Sequence, residues 1–109
     1  MEVLTQGEVR KILEEFKKGI KSILKNKLAD LILFGSYARG DYEFGSDIDV
    51  LLLTRDKLTA EENKKISELS STLSLRYDVL ITCLTYPHDA YQNWETPFLM
   101  NVRKEGVSI

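Results

Sequence analysis

The stretch FGSYARGDYEFGSDIDVLLL, residues 34–53, decides the fold. It joins two apolar runs, LADLILF at 28–34 and SDIDVLLLT at 46–54, each of which reads as a strand covered on at least one face. Gly35 ends the first run, Ser36 stands where a helix N-cap would stand, and SYARG predicts a brief helix before Gly40 lets the chain turn. Two acids, Asp47 and Asp49, then open the second strand. In an extended chain, residues two apart share a face, so these carboxylates project side by side while Ile48 and Val50 point the other way.

Outward from this centre the pattern alternates between helix and strand. From Glu8 to Lys25, the apolar residues Val9, Ile12, Leu13, Phe16, Ile20, Ile23 and Leu24 form the stripe of an amphipathic helix. A second helix is predicted from Leu58 to Leu75, with Ile66, Leu69 and Leu73 on one face, crossing back over the sheet. Apolar and β-branched residues from Val79 to Leu84 predict a third strand, which ends before Pro87. Pro97 begins a last helix that buries Phe98, Leu99 and Val102, and Gly106 stops it. The expectation is a single α+β domain over residues 1–109: a small mixed sheet flanked by helices, without repeat or linker.

Composition excludes several classes. With 15 basic and 17 acidic residues, the formal net charge of −2 does not point to a polyanion-binding surface; a nucleic-acid role would have to be local, and direct binding is not expected. Cys83 has no second cysteine to pair with and reads as a buried thiol of a reducing compartment. The N-terminus, MEVLTQGEVRKILEEF, is too charged for a secretion signal, and no apolar run spans a membrane. A cytoplasmic protein is expected.

Paired carboxylates repel unless a cation lies between them or each finds its own partners. Oxygen-only ligands favour Mg²⁺, which is commonly shared between one or two carboxylates and substrate phosphates. Gly35 and Ser36, at a strand-to-helix turn, offer backbone N–H groups, a hydroxyl and close backbone approach to an anion. If the ten residues between Ser36 and Asp47 fold back, one site would hold a nucleoside triphosphate by its tail and by metal. Phosphoryl or nucleotidyl transfer follows from that arrangement.

Gly-Ser, ten residues, then Asp-x-Asp resembles the signature of the minimal nucleotidyltransferases (MNT) of the DNA polymerase β-like superfamily. YDVL resembles the strand that carries that family's third carboxylate, and FLMNVRKEGVSI resembles its C-terminal helix and tail. The resemblance implies the polymerase β-like nucleotidyltransferase fold. It also implies ATP contacts from Gly35 and Ser36, a two-metal Mg²⁺ site on Asp47 and Asp49, and Asp78 as the third acid. Minimal members lack an acceptor domain and are often paired with a HEPN-domain toxin, whose tyrosine the MNT antitoxin adenylylates. The acceptor would then be such a partner protein or a second copy of the chain. A contact-only antitoxin and an aminoglycoside-type small-molecule transferase are the alternatives.

Arg39 reaches the triphosphate, pairs with an acid of the site, or serves at the surface. Tyr37 is expected to pack, Asp41 and Glu43 to be solvated loop residues, and His88 to be a turn residue. Tyr86, Tyr91, Trp94 and Phe98 have few basic residues among them and read as core or partner interface.

Overall fold

The computed structural model describes residues 6–43 and 45–109. The first five residues of the stretch judged too charged for a secretion signal lie outside them. Helix α1 (Gln6–Leu24) is followed by a 3-10 turn (Lys25–Lys27), strand β1 (Leu28–Phe34), helix α2 (Ser36–Arg39) and strand β2 (Ile48–Thr54). Helix α3 (Ala60–Tyr77), strand β3 (Ile81–Pro87), helices α4 (His88–Asn93) and α5 (Pro97–Glu105) and strand β4 (Val107–Ser108) complete the order. The sheet runs β3-β2-β1-β4, with β1 antiparallel to β2 and β4, and β2 parallel to β3. A parallel pair needs a crossover, and α3 provides it, as the sequence pattern expects.

Strand alternation splits the core into two layers. Leu31 and Leu33 of β1 and Ile48, Val50 and Leu52 of β2 face α1 and α3, where they meet Ile12, Phe16, Ile20, Ile66 and Leu73. Ile32, Leu51 and Leu53 face α5 and pack on Leu99 and Val102. The central strand β2 is therefore buried on both sides from Val50 onward, which explains its unbroken apolar run. Only its first turn out of the core is free for polar residues.

Local chemistry sets the boundaries. Thr59 caps α3 in a capping box with Glu62, so the helix starts two residues later than the apolar stripe suggests. It also runs on to Tyr77, because Asp78 takes the left-handed cap conformation (φ 52°) there. Thr96 caps α5 with Pro97 in its first turn. Gly106 ends α5 at an ordinary negative φ of −69°; a Cβ there would lie 2.5 Å from the Val102 carbonyl and 2.6 Å from Ile32 Cγ2. Close packing, and no left-handed turn, is what demands glycine at this stop.

Two elements have no forecast in the sequence pattern, α4 and β4. β4 pairs Ser108 with Ile32 and Val107 with Leu33. Beyond it, Ile109 N–H donates to the Leu31 carbonyl at 2.9 Å, Lys17 Nζ donates to the Ile109 carbonyl at 2.5 Å, and Ser108 Oγ donates to Asp30 at 2.8 Å. No helix among the described residues is long and apolar enough to cross a membrane.

Candidate active site

β1 ends at Phe34, and the chain turns through Gly35 with φ 78° and ψ −157°, a conformation essentially closed to residues with a Cβ. The turn carries Ser36 into the first position of α2; Gly35, one residue earlier than expected, occupies the cap. Gly35 carbonyl accepts from the N–H groups of Ala38 and Arg39, both at 3.1 Å, and Gly40 closes the helix in the left-handed region.

Phe34 is the cross-strand partner of Asp49. This register brings the turn over the acid: a Cβ placed on Gly35 would clash with Asp49 Oδ2 and lie 3.2 Å from Asp49 Cγ. The ten-residue connection thus does fold back, and the glycine and the acid share van der Waals contact. Asp49 is flanked on its other side by Thr82 of β3. Asp47 and Asp49 are both partly exposed at the mouth of β2, while Ile48 and Val50 between and after them are fully buried.

The electrostatics of the pair match its geometry. Burial pushes the Asp49 carboxyl above its ordinary range, the negative charge of Asp47 adds to the rise, and the Arg39 cation opposes it. A site that raises an acid's pKa by desolvation and by a neighbouring like charge is a site that a hard divalent cation relieves. The oxygen donors of Asp47 and Asp49 suit Mg²⁺, with remaining positions left for water and phosphate.

Arg39 pairs with neither acid of the site but with two others. Its Nε donates to Asp41 Oδ2 at 3.2 Å and its Nη1 to Glu105 Oε2 at 3.3 Å. Asp41, expected to be solvated, is exposed but paired. Glu105, from the far end of the chain, was not singled out in the sequence; its one signal is an acid in the last turn of a helix, where the dipole favours cations.

Asp78 does not join the pair. It is exposed in the cap of α3, before β3 begins, and among the described residues no group of three or more His, Cys, Asp or Glu side chains lies close enough to hold a metal ion. Tyr37 is buried and stacks on Tyr42 with ring centroids 4.4 Å apart, so it packs as expected. Phe98 packs against Phe34 and Tyr86, and Tyr91 joins the same layer, whereas Trp94 is half exposed. His88 opens α4, beside Pro87. A cavity of about 570 Å³ behind α2, lined by Val9, Leu13, Tyr37 and Ile109 among others, contains neither acid of the pair nor Gly35.

Comparison with known proteins places this geometry. Residues 10–99 match the family model described as a nucleotidyltransferase domain. The chain is 45% identical over 102 residues to a "putative protein adenylyltransferase" of Methanocaldococcus jannaschii, covering 94% of this chain and 99% of that one. A chain in the crystal structure of a toxin–antitoxin with AMP-PNP superposes with a TM-score of 0.59 at 24% identity, over 96% of this chain and 72% of that one. A chain in the structure of a tri-AMPylated Shewanella oneidensis HEPN toxin in complex with its MNT antitoxin gives 0.51 at 21% identity, over 94% and 66%. Those two structures share the fold.

Proposed function

The chain belongs to the nucleotidyltransferase domain family, and from that premise we propose that it transfers AMP from ATP to a hydroxyl of a partner protein. The observation that carries this reading is the contact between Gly35 and Asp49, which sets the strand-to-helix turn against one acid of the pair. Gly35 and Ser36 present backbone and hydroxyl donors to the triphosphate, and Arg39 adds a guanidinium one helical turn away. Asp47 and Asp49 would hold Mg²⁺. Asp78 is proposed as the third acid on the resemblance of its segment alone. Bound there, Mg²⁺ would supply charge neutralisation at the phosphates and acidify the acceptor hydroxyl. Transfer forms a bond between the acceptor oxygen and the α-phosphorus as the bond to pyrophosphate breaks, and the hydroxyl proton leaves to solvent. The protein's part is alignment and charge, with no covalent intermediate required.

The acceptor is proposed to be a HEPN-domain toxin, with this chain as its antitoxin. The named relative supports a protein acceptor, and two fold neighbours that are toxin–antitoxin complexes, one of them AMPylated on the toxin, support this one. Contact alone is the second reading, favoured by Leu80, 57% exposed at the acids' end of the sheet, and Leu84, 40% exposed further along the edge strand β3. One experiment separates them. The chain is incubated with a purified HEPN-domain protein of its own source, Mg²⁺, and ATP labelled at the α- or the γ-phosphate. Label from the α-position alone on the HEPN protein, lost with Asp47→Asn, supports adenylylation. A stable complex without label supports contact neutralisation and ends the catalytic reading.

A further inference from the structure

We infer that Glu105 is a positioning residue: with Asp41 it braces the Arg39 guanidinium from behind, so that the remaining N–H edge is held ready for the phosphates of a bound nucleotide. The inference rests on the nucleotide reading above. Arg39 is anchored to the turn through its own N–H bond to Gly35, but its side chain is 42% exposed and free to rotate unless held. Asp41 takes Nε and Glu105 takes one N–H of Nη1. A guanidinium has five N–H donors, so the other N–H of Nη1 and both on Nη2 stay available.

Glu105 is placed for this by an otherwise unexplained piece of construction. It is the last residue of α5, the end at which a helix dipole disfavours an acid, and its neighbours Arg103 and Lys104 follow the usual preference. A local rule broken in one residue calls for a local compensation, and Arg39 is that compensation. The next residue, Gly106, packs so tightly on Val102 and Ile32 that no side chain fits, and β4 then pairs with Ile32 and Leu33 of β1. The strand that delivers Gly35 therefore also fixes the segment that delivers Glu105. The two ends of the Arg39 bridge rest on one strand.

The sign of the effect separates bracing from simple electrostatics. Glu105→Gln removes a negative charge near a phosphate site and frees Arg39 from a competing carboxylate; both would tighten nucleotide binding. Loss of a brace weakens it, by the ordering cost of one long side chain, about threefold to tenfold in Kd. The test is the Kd for ATP with Mg²⁺, measured by titration calorimetry on the full chain, for wild type, Glu105→Gln, Glu105→Asp, Arg39→Ala and the double variant Arg39→Ala/Glu105→Gln. The expected results are a roughly tenfold or larger loss for Arg39→Ala, the smaller loss for Glu105→Gln, partial recovery with Glu105→Asp, and no further loss from Glu105→Gln when Arg39 is already absent. Unchanged or tighter binding by Glu105→Gln overturns the brace, as does an equal loss in the Arg39→Ala background. Wild type that fails to bind ATP with Mg²⁺ overturns the nucleotide reading and the brace together; normal wild-type binding with an indifferent Glu105→Gln overturns the brace alone.

Discussion

Gly35→Ala tests the contact on which the site is built. Two costs add at this position. The backbone conformation, φ 78° and ψ −157°, belongs to the region where a Cβ strains the chain by about 1–3 kcal/mol. The new methyl would also overlap Asp49 Oδ2 and stand 3.2 Å from its Cγ, so the carboxylate must move. At roughly 4–8 °C per kcal/mol for a domain near this size, the strain alone lowers Tm by about 5–20 °C. Gly40→Ala is the matched control: it also has a positive φ, of 87°, but nothing lies within 4 Å of its added Cβ. That variant should lose about 1–2 kcal/mol and keep nucleotide transfer. Gly35→Ala should lose stability and transfer together. A double-mutant cycle isolates the steric part: with Asp49→Ala the offending oxygen is gone and only the Asp49 Cβ, at 3.4 Å, remains in ordinary contact. The two substitutions should then couple by about 0.5–3 kcal/mol in chemical denaturation. Wild-type transfer by Gly35→Ala, or strict additivity with Asp49→Ala, would refute the claim that the turn and the acid form one site.

Three further outcomes are expected. Asp49→Asn should abolish transfer yet melt higher than wild type at neutral pH without metal. The folded state raises this carboxyl's pKa, so its ionised form carries a penalty above that pKa and none below the unfolded value of 3.8. The variant's Tm advantage should accordingly shrink as pH falls toward 4; an advantage that grows in acid would contradict the assignment. Thr59→Ala removes one arm of the capping box and should cost about 0.5–2 kcal/mol by urea denaturation with transfer unchanged. Burial pushes the Cys83 thiol up to about 12, so it should stay unreactive to a disulfide reagent at pH 8 until the chain unfolds; prompt labelling of the native protein would show that β3 opens.

Where one physical signal dominates, the sequence is a sufficient guide. The stripe from Val9 to Leu24 allows only a helix with one buried face, and all its members but Ile23 are buried. The run from Val50 to Leu53 has no polar side, as a central strand requires. The approach of the Gly35 turn to Asp49 was legible because the two apolar runs beside it pair as strands, and acids at the mouth of an apolar strand go against local preference. Asp78 shows the opposite case. An Asp before an apolar run reads equally as the start of a strand or as a left-handed cap, since Asp is among the few residues that tolerate that conformation, and α3 took it as its cap. His88 to Asn93 is too short for periodicity to declare a helix, and Val107–Ser108 too short to declare a strand.

The C-terminal segment was the least legible because its meaning is entirely tertiary. A glycine after a helix is ordinarily a left-handed stop, and nothing in the sequence says that Gly106 is instead a point of close approach to Ile32. Nor does any local pattern join Glu105 to Arg39, 66 residues away. Both follow once β4 is seen on the open edge of β1. One strand then carries the Gly35 turn at its end and the anchor of the segment bearing Glu105 along its side, so a loss of β4 pairing should reach the turn without touching either acid. Val107→Pro removes the main-chain donor that faces Leu33, two residues before Ile109 donates to Leu31, and should loosen the Glu105–Arg39 bridge while leaving β1 and β2 paired. Its effect on ATP affinity should therefore follow that of Glu105→Gln, and a normal affinity with β4 displaced would mean that the turn stands without support from the C-terminal segment.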